Sequence, residues 1–144
     1  MFRQGPLPVS AHAAAEPFLV ALLITAPFLF GFDDLGAPTA LAIVAGVAIL
    51  IVSMSTCWRL SLVKVVPLVA HAMIDLALGA LLIASPFLFG FREDSSAATA
   101  FFMLFGITEI LATLATRWLA SDEPGGRAAA DPKVSEPEVS GGAR

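Results

Sequence analysis

The sequence predicts an all-α membrane protein: four transmembrane helices as two parallel-repeat helical hairpins, with a disordered C-terminal tail. Three observations carry that prediction. Ala26-Pro27-Phe28-Leu29-Phe30-Gly31-Phe32 returns 59 residues later as Ser85-Pro86-Phe87-Leu88-Phe89-Gly90-Phe91, and repeats of this length are read before any local assignment. Each copy carries two apolar stretches of about 20 residues, the length that crosses a hydrocarbon core of ~30 Å as a helix. Composition agrees: 58% hydrophobic and 14% charged residues in 144 leave too little polar surface to cover a water-soluble globule.

The match extends beyond the heptapeptide. His12 pairs with His71 and Glu16 with Asp75 at the same spacing, then Thr39 with Thr99, Gly46 with Gly106, Thr56 with Thr116 and Trp58 with Trp118 at a spacing of 60. One extra residue in the second outer loop accounts for the change. The transmembrane domain is expected over 1–119, with repeat 1 at about 11–60 and repeat 2 at about 67–119.

The first span is expected over about 13–32, with Glu16 and Pro17 near its start. The second, about 38–57, is free of charge. The third, about 65–91, contains His71 and Asp75, and the fourth, about 97–119, contains Glu109. An acid at a helix centre costs roughly 2.5–3.5 kcal/mol on insertion scales, while each Leu, Ile, Phe or Val returns ~0.3–0.6 kcal/mol, so spans this rich in them tolerate one acid.

Basic residues set the orientation. Arg3, Arg59, Lys64, Arg117, Arg127, Lys133 and Arg144 fall at the N-terminus, the middle loop and the C-terminus, and only Arg92 falls opposite. The positive-inside rule then places both termini in the cytoplasm of a bacterial inner membrane, with Asp33-Asp34 and Arg92-Glu93-Asp94 outside. The two hairpins share one orientation and form parallel repeats. The small residues near Arg3 precede the first apolar run instead of following it, which argues against a cleaved signal peptide. Cys57 is the single cysteine, so no intramolecular disulfide or cysteine metal cluster is expected. Residues 120–144, rich in Gly, Pro, Ala, Glu and Ser without aromatics, are expected to be a disordered cytoplasmic tail.

The repeated heptapeptide has a physical reading as a device that shapes the hairpin. Pro27 and Pro86 each remove a helical hydrogen bond near the outer end of a span, and in lipid the freed carbonyl must find a partner. Ser85 offers one in the second copy; Ala26 does not in the first. Gly31 and Gly90 permit the positive φ of a helix end. The phenylalanines between the proline and the glycine are expected at the outer interface, packed on the adjacent helix.

A Ser-Pro-aromatic motif followed shortly by Gly-Phe, near the end of the first of two transmembrane helices and twice over, resembles the SPW-repeat family of small bacterial membrane proteins. The resemblance covers roughly 11–119. This sequence departs from the family at Phe28 and Phe87, where Trp is expected, and at Ala26, where Ser is expected. The resemblance implies an integral membrane protein of two hairpins and brings no activity, substrate or catalytic residue with it.

The intramembrane acids are the candidates for chemistry, because ionisable groups within spans are rare. Glu16 and Asp75 are expected near the cytoplasmic boundary, each with a histidine four residues earlier, His12 and His71, close enough on a helix to pair. An interfacial polar collar, in which Pro17 begins the true span and Glu16 sits near its N-cap, is the simpler reading. The other is two His-x-x-x-acid units meeting at the repeat interface to relay protons or supply four metal ligands. Glu109 is expected ~18 Å deep from the outer surface, with Thr113 and Thr116 on the same stripe. Its counterpart is Ile49, so it is an asymmetric addition. It is expected to act as glue that hydrogen-bonds a neighbouring helix, a contact worth ~0.6 kcal/mol on average; the alternative is proton or substrate handling.

No nucleophile with its base, phosphate loop or strong metal spacing appears, so no enzyme, metal or cofactor is assigned. A net charge of −4 without a basic groove argues against nucleic acid as a partner. The expected partners are the lipid bilayer and a second copy or another membrane protein. A non-catalytic structural or interaction role is the first reading, and a small proton-coupled carrier using the intramembrane carboxylates is the second.

Overall fold

The computed structural model describes residues 5–119, and the tail expected over 120–144 lies outside the described residues. Four helices account for most of the described chain: α1 (Val9–Phe30), α2 (Gly36–Ser55), α3 (Leu68–Leu88) and α4 (Ser96–Ala115). All four are long and apolar enough to cross a membrane. α1 packs chiefly on α2 and α3 on α4, and the two hairpins meet along α1–α4 and α2–α3.

The hairpins are linked again at the end where the chain enters and leaves the bundle, here called the terminal end. The two-residue strand β1 (Leu7–Pro8) pairs in parallel with β2 (Thr116–Arg117), and Thr56 bridges Val66. In both places backbone preceding a helix of one hairpin joins backbone following a helix of the other. Cys57 N–H donates to the Val66 carbonyl at 2.9 Å and Val66 N–H to that of Ser55 at 2.8 Å. The middle loop is pinned further by Lys64, whose ammonium donates to the Trp58 carbonyl.

At the opposite, loop end the repeated heptapeptide behaves largely as its chemistry dictates. Gly31 and Gly90 adopt φ of +66° and +72°, the positive values found among the described residues. The amide of Phe32 reaches back to the Pro27 carbonyl at 2.9 Å, closing the helix in the manner of a Schellman turn. Pro86 cannot donate to the Leu82 carbonyl, and Ser85 Oγ donates to it instead at 2.7 Å. In the first copy Ala26 has no hydroxyl to do the same.

The motif's phenylalanines fall into two sets. Phe28, Phe30, Phe87 and Phe89 are exposed on the outside of the bundle, whereas Phe32 and Phe91 are fully buried. The positive-φ glycine turns the chain back, so the next side chain enters the core, where Phe91 and Phe32 lie 5.4 and 6.3 Å from Phe102 between ring centres.

Helix approach within the hairpins depends on glycine. A Cβ on Gly106 would lie 2.5 Å from the Gly79 carbonyl oxygen, and one on Gly46 would lie 2.8 Å from the Ile24 side chain. Small residues at such crossings let backbones meet closely in lipid, where packing and polar contacts replace the hydrophobic drive between helices.

Candidate functional site

His12, Glu16, His71 and Asp75 come together in one buried cluster at the terminal end of the bundle. The i, i+4 spacing of a helix puts His12 above Glu16 on α1 and His71 above Asp75 on α3, and the hairpins set these two faces against each other. His12 Nε2 stands 3.3 Å from Glu16 Oε1 and 3.4 Å from Asp75 Oδ2. His71 Nε2 stands 3.0 Å from Glu16 Oε1 and 3.1 Å from Asp75 Oδ2. The four atoms form a closed ring that alternates nitrogen and oxygen.

The threonines that pair at a spacing of 60 fix the histidine rings from behind. Thr56 Oγ1 has a single proton, and its 2.6 Å contact with the Val52 carbonyl, a pure acceptor, uses it. The 2.8 Å contact between Thr56 Oγ1 and His71 Nδ1 must therefore be donated by the ring. The second half repeats the arrangement: Thr116 Oγ1 donates to the Ala112 carbonyl at 2.7 Å and accepts from His12 Nδ1 at 3.2 Å. Each Nδ1 carries hydrogen, and each Nε2 is turned toward the carboxylates.

Two tryptophans close the cluster. Trp58 packs against His71 with ring centres 4.5 Å apart, and Trp118 against His12 at 4.8 Å. Trp118 Nε1 donates to the Thr113 carbonyl at 2.8 Å, while Trp58 Nε1 is buried without a partner among the described residues. The cluster is thus walled from the terminal side by aromatic rings.

These positions overturn the expected collar. α1 begins at Val9, Pro17 lies inside it, and Glu16 is 1% exposed. Pro17 cannot donate to the Ala13 carbonyl one turn back, yet α1 runs on past it, and a capping role for Glu16 is excluded by the seven residues between it and Pro8, the N-cap. Glu16 and Asp75 each lie seven residues into their helices and Glu109 six before the end of α4. At 1.5 Å per residue all three acids sit ~9–11 Å from the terminal end, within about a turn of one another.

Glu109 is buried beside this level, and its Oε2 has no hydrogen-bond partner among the described residues. The expected bond to a neighbouring helix is not made at that atom. Thr113 Oγ1, one turn on, is also buried and unpartnered. Two clefts of about 400 and 500 Å³ open on the bundle surface, and Glu109 lines neither.

The cluster's chemistry follows from charge. Two ionised carboxylates in a low-dielectric site require two positive charges nearby, because buried charge is tolerated only when compensated. Two imidazolium rings meet that requirement, and so does one divalent cation. Thr56, Trp58 and Trp118 stand in the sequence as members of repeat pairs, and Thr116 also on the Glu109 stripe; that they anchor the rings depends on an inter-hairpin contact that no local spacing encodes.

A family model, the SPW repeat domain, matches residues 10–116. No curated protein and no solved structure matches the chain. The match spans most of the chain and all four helices, so the chain belongs to the SPW repeat domain family.

Proposed function

We propose that this SPW repeat protein is a non-catalytic membrane structural or interaction protein whose two hairpins are latched into one unit by the buried His12–Glu16–His71–Asp75 quartet. One observation carries this reading: each member of the quartet has a partner across the hairpin boundary. His12 meets Asp75, and His71 meets Glu16. Each histidine also bonds a threonine of the opposite hairpin. Lipid tails are as apolar as leucine, so hydrophobic contact alone does not keep one hairpin on the other, and close packing and polar contacts must.

The outward faces, with exposed Phe18, Val44, Ile51, Leu104 and Leu111, suit contact with lipid, a second copy or another membrane protein. With the basic residues taken as cytoplasmic, the quartet lies toward the cytoplasmic side of a bacterial inner membrane. The test is the isosteric double variant Glu16→Gln/Asp75→Asn in detergent. The latch reading expects a lower melting temperature and red-shifted tryptophan emission, since both tryptophans pack on the quartet. Unchanged melting and emission would refute it.

A second reading, a small proton-coupled carrier, is favoured by the buried and unpartnered Glu109 Oε2 and Thr113 Oγ1. Proton flux into liposomes that Glu109→Gln abolishes would support it, and flux no greater than in empty liposomes would dismiss it.

A further inference from the structure

We propose that the quartet binds one divalent first-row transition-metal ion, with His12 Nε2, Glu16 Oε1, His71 Nε2 and Asp75 Oδ2 as ligands. This deepens the latch reading and rests on it for the folded junction that assembles the four groups.

Geometry comes first. One ligand atom from each of the four residues lies within 4.8 Å of all the others, and the ring edges are 3.0, 3.1, 3.3 and 3.4 Å. An ion such as Zn²⁺ with bonds of ~2.0–2.2 Å holds neighbouring ligands of a tetrahedron ~3.3–3.6 Å apart. The edges are already near that spacing, and the two diagonals need only to contract toward it. Glu16 Oε2 has no partner, so its carboxylate gives up no hydrogen bond there in turning.

Orientation is an independent observation. Metal-binding histidines characteristically donate their second ring N–H to a fixed acceptor, which sets the tautomer and aims the ligating nitrogen. Both histidines do this through Nδ1 to a threonine hydroxyl whose own proton is already used on a helix carbonyl. His12 Nε2 and Asp75 Oδ2 are buried, within 3.4 Å of opposite-type groups, and yet without a hydrogen-bond partner. Their separation allows a hydrogen bond, and their orientation does not make one.

Charge and donor type select the ion. Two neutral imidazoles and two carboxylates carry a charge of −2, which a divalent cation neutralises in a site where leftover charge is costly. Mixed nitrogen and carboxylate donors without thiolate suit Zn²⁺, Fe²⁺ or Mn²⁺, whereas Mg²⁺ and Ca²⁺ favour all-oxygen shells of six or more ligands. Cys57 is exposed and outside the cluster. Trp58 borders both the quartet and the 500 Å³ cleft at the terminal end.

The experiment uses the tag-free full chain in detergent, stripped with chelator and then equilibrated with Zn²⁺ or Co²⁺. One Zn²⁺ per chain by mass spectrometry and the intense visible absorption of a tetrahedral Co²⁺ centre are expected. Thr56→Val/Thr116→Val keeps all four ligands and should weaken binding ~10–100-fold; Glu16→Gln/Asp75→Asn should abolish both signals. No stoichiometric Zn²⁺ in the wild type, or undiminished Zn²⁺ in both variants, would overturn the site. Melting of the stripped proteins separates this from the latch. If the variants melt lower but the wild type binds no ion, the latch stands and the metal site falls; if the wild type binds Zn²⁺ but all stripped proteins melt alike, the metal site stands and the latch falls.

Discussion

Thr56 and His71 share a 2.8 Å hydrogen bond in which the imidazole is the donor, because the threonine proton is committed to the Val52 carbonyl. That bond joins the end of one hairpin to the start of the other and decides which nitrogen of His71 faces the carboxylates. Thr116 and His12 repeat it across the second junction.

Replacing either threonine with valine should therefore strand a buried ring N–H. The expected loss is ~1–3 kcal/mol for each, the cost of an unsatisfied buried polar group. Thermal unfolding in a fixed detergent checks this, and a variant that melts with the wild type would show that the hydroxyl does not hold the ring.

His71 makes shorter contacts than His12 with each of the two carboxylates and with its threonine. His71→Leu is accordingly expected to destabilise more than His12→Leu. Removing one partner from a buried charged network costs ~3–5 kcal/mol, because the charges left behind lose their compensation. Denaturant titration of the two variants gives the order, and His12→Leu proving the more harmful would contradict it.

Glu109→Leu should leave the melting temperature unchanged or raise it. The buried Oε2 has no partner to lose, and the equivalent position on α2 holds Ile49, which packs in the apolar core. A clear drop would mean that the carboxyl bonds a neighbouring helix after all.

Gly106→Ala should weaken the second hairpin by ~1–3 kcal/mol, the usual cost of overpacking. The new methyl would meet Gly79 backbone, which cannot swing aside, as well as Ile83. Gly46→Ala should cost less, because its nearest obstacle is a side-chain carbon, Cγ1 of Ile24, and the backbone oxygen it would meet, that of Val20, is 3.4 Å away. Equal losses in calorimetry would count against this distinction.

The four helices were legible because span length and hydrophobicity are local properties, and the loop-end turns because proline and glycine act on their own backbone. Ser85 was expected to serve the carbonyl freed by Pro86, and it does so. The quartet was half legible. The i, i+4 pairs His12–Glu16 and His71–Asp75 stand in the sequence, but whether they face lipid headgroups or each other depends on how one hairpin docks on the other. The collar reading failed for that reason, and it took Pro17 as a helix start when the helix runs through it. Glu109 likewise shares nearly one level with Glu16 and Asp75, although α4 enters from the loop end and α1 and α3 from the terminal end.

The most direct measurement is a double-mutant cycle between Glu16 and His71, whose 3.0 Å contact crosses the hairpin boundary. Unfolding free energies of the wild type, Glu16→Gln, His71→Gln and the double variant would be compared in chelator-treated detergent solution. The account predicts a coupling of ~0.5–3 kcal/mol, as for residues in direct contact within one network. Strictly additive losses would mean that the two side chains do not hold the hairpins together, and would contradict it.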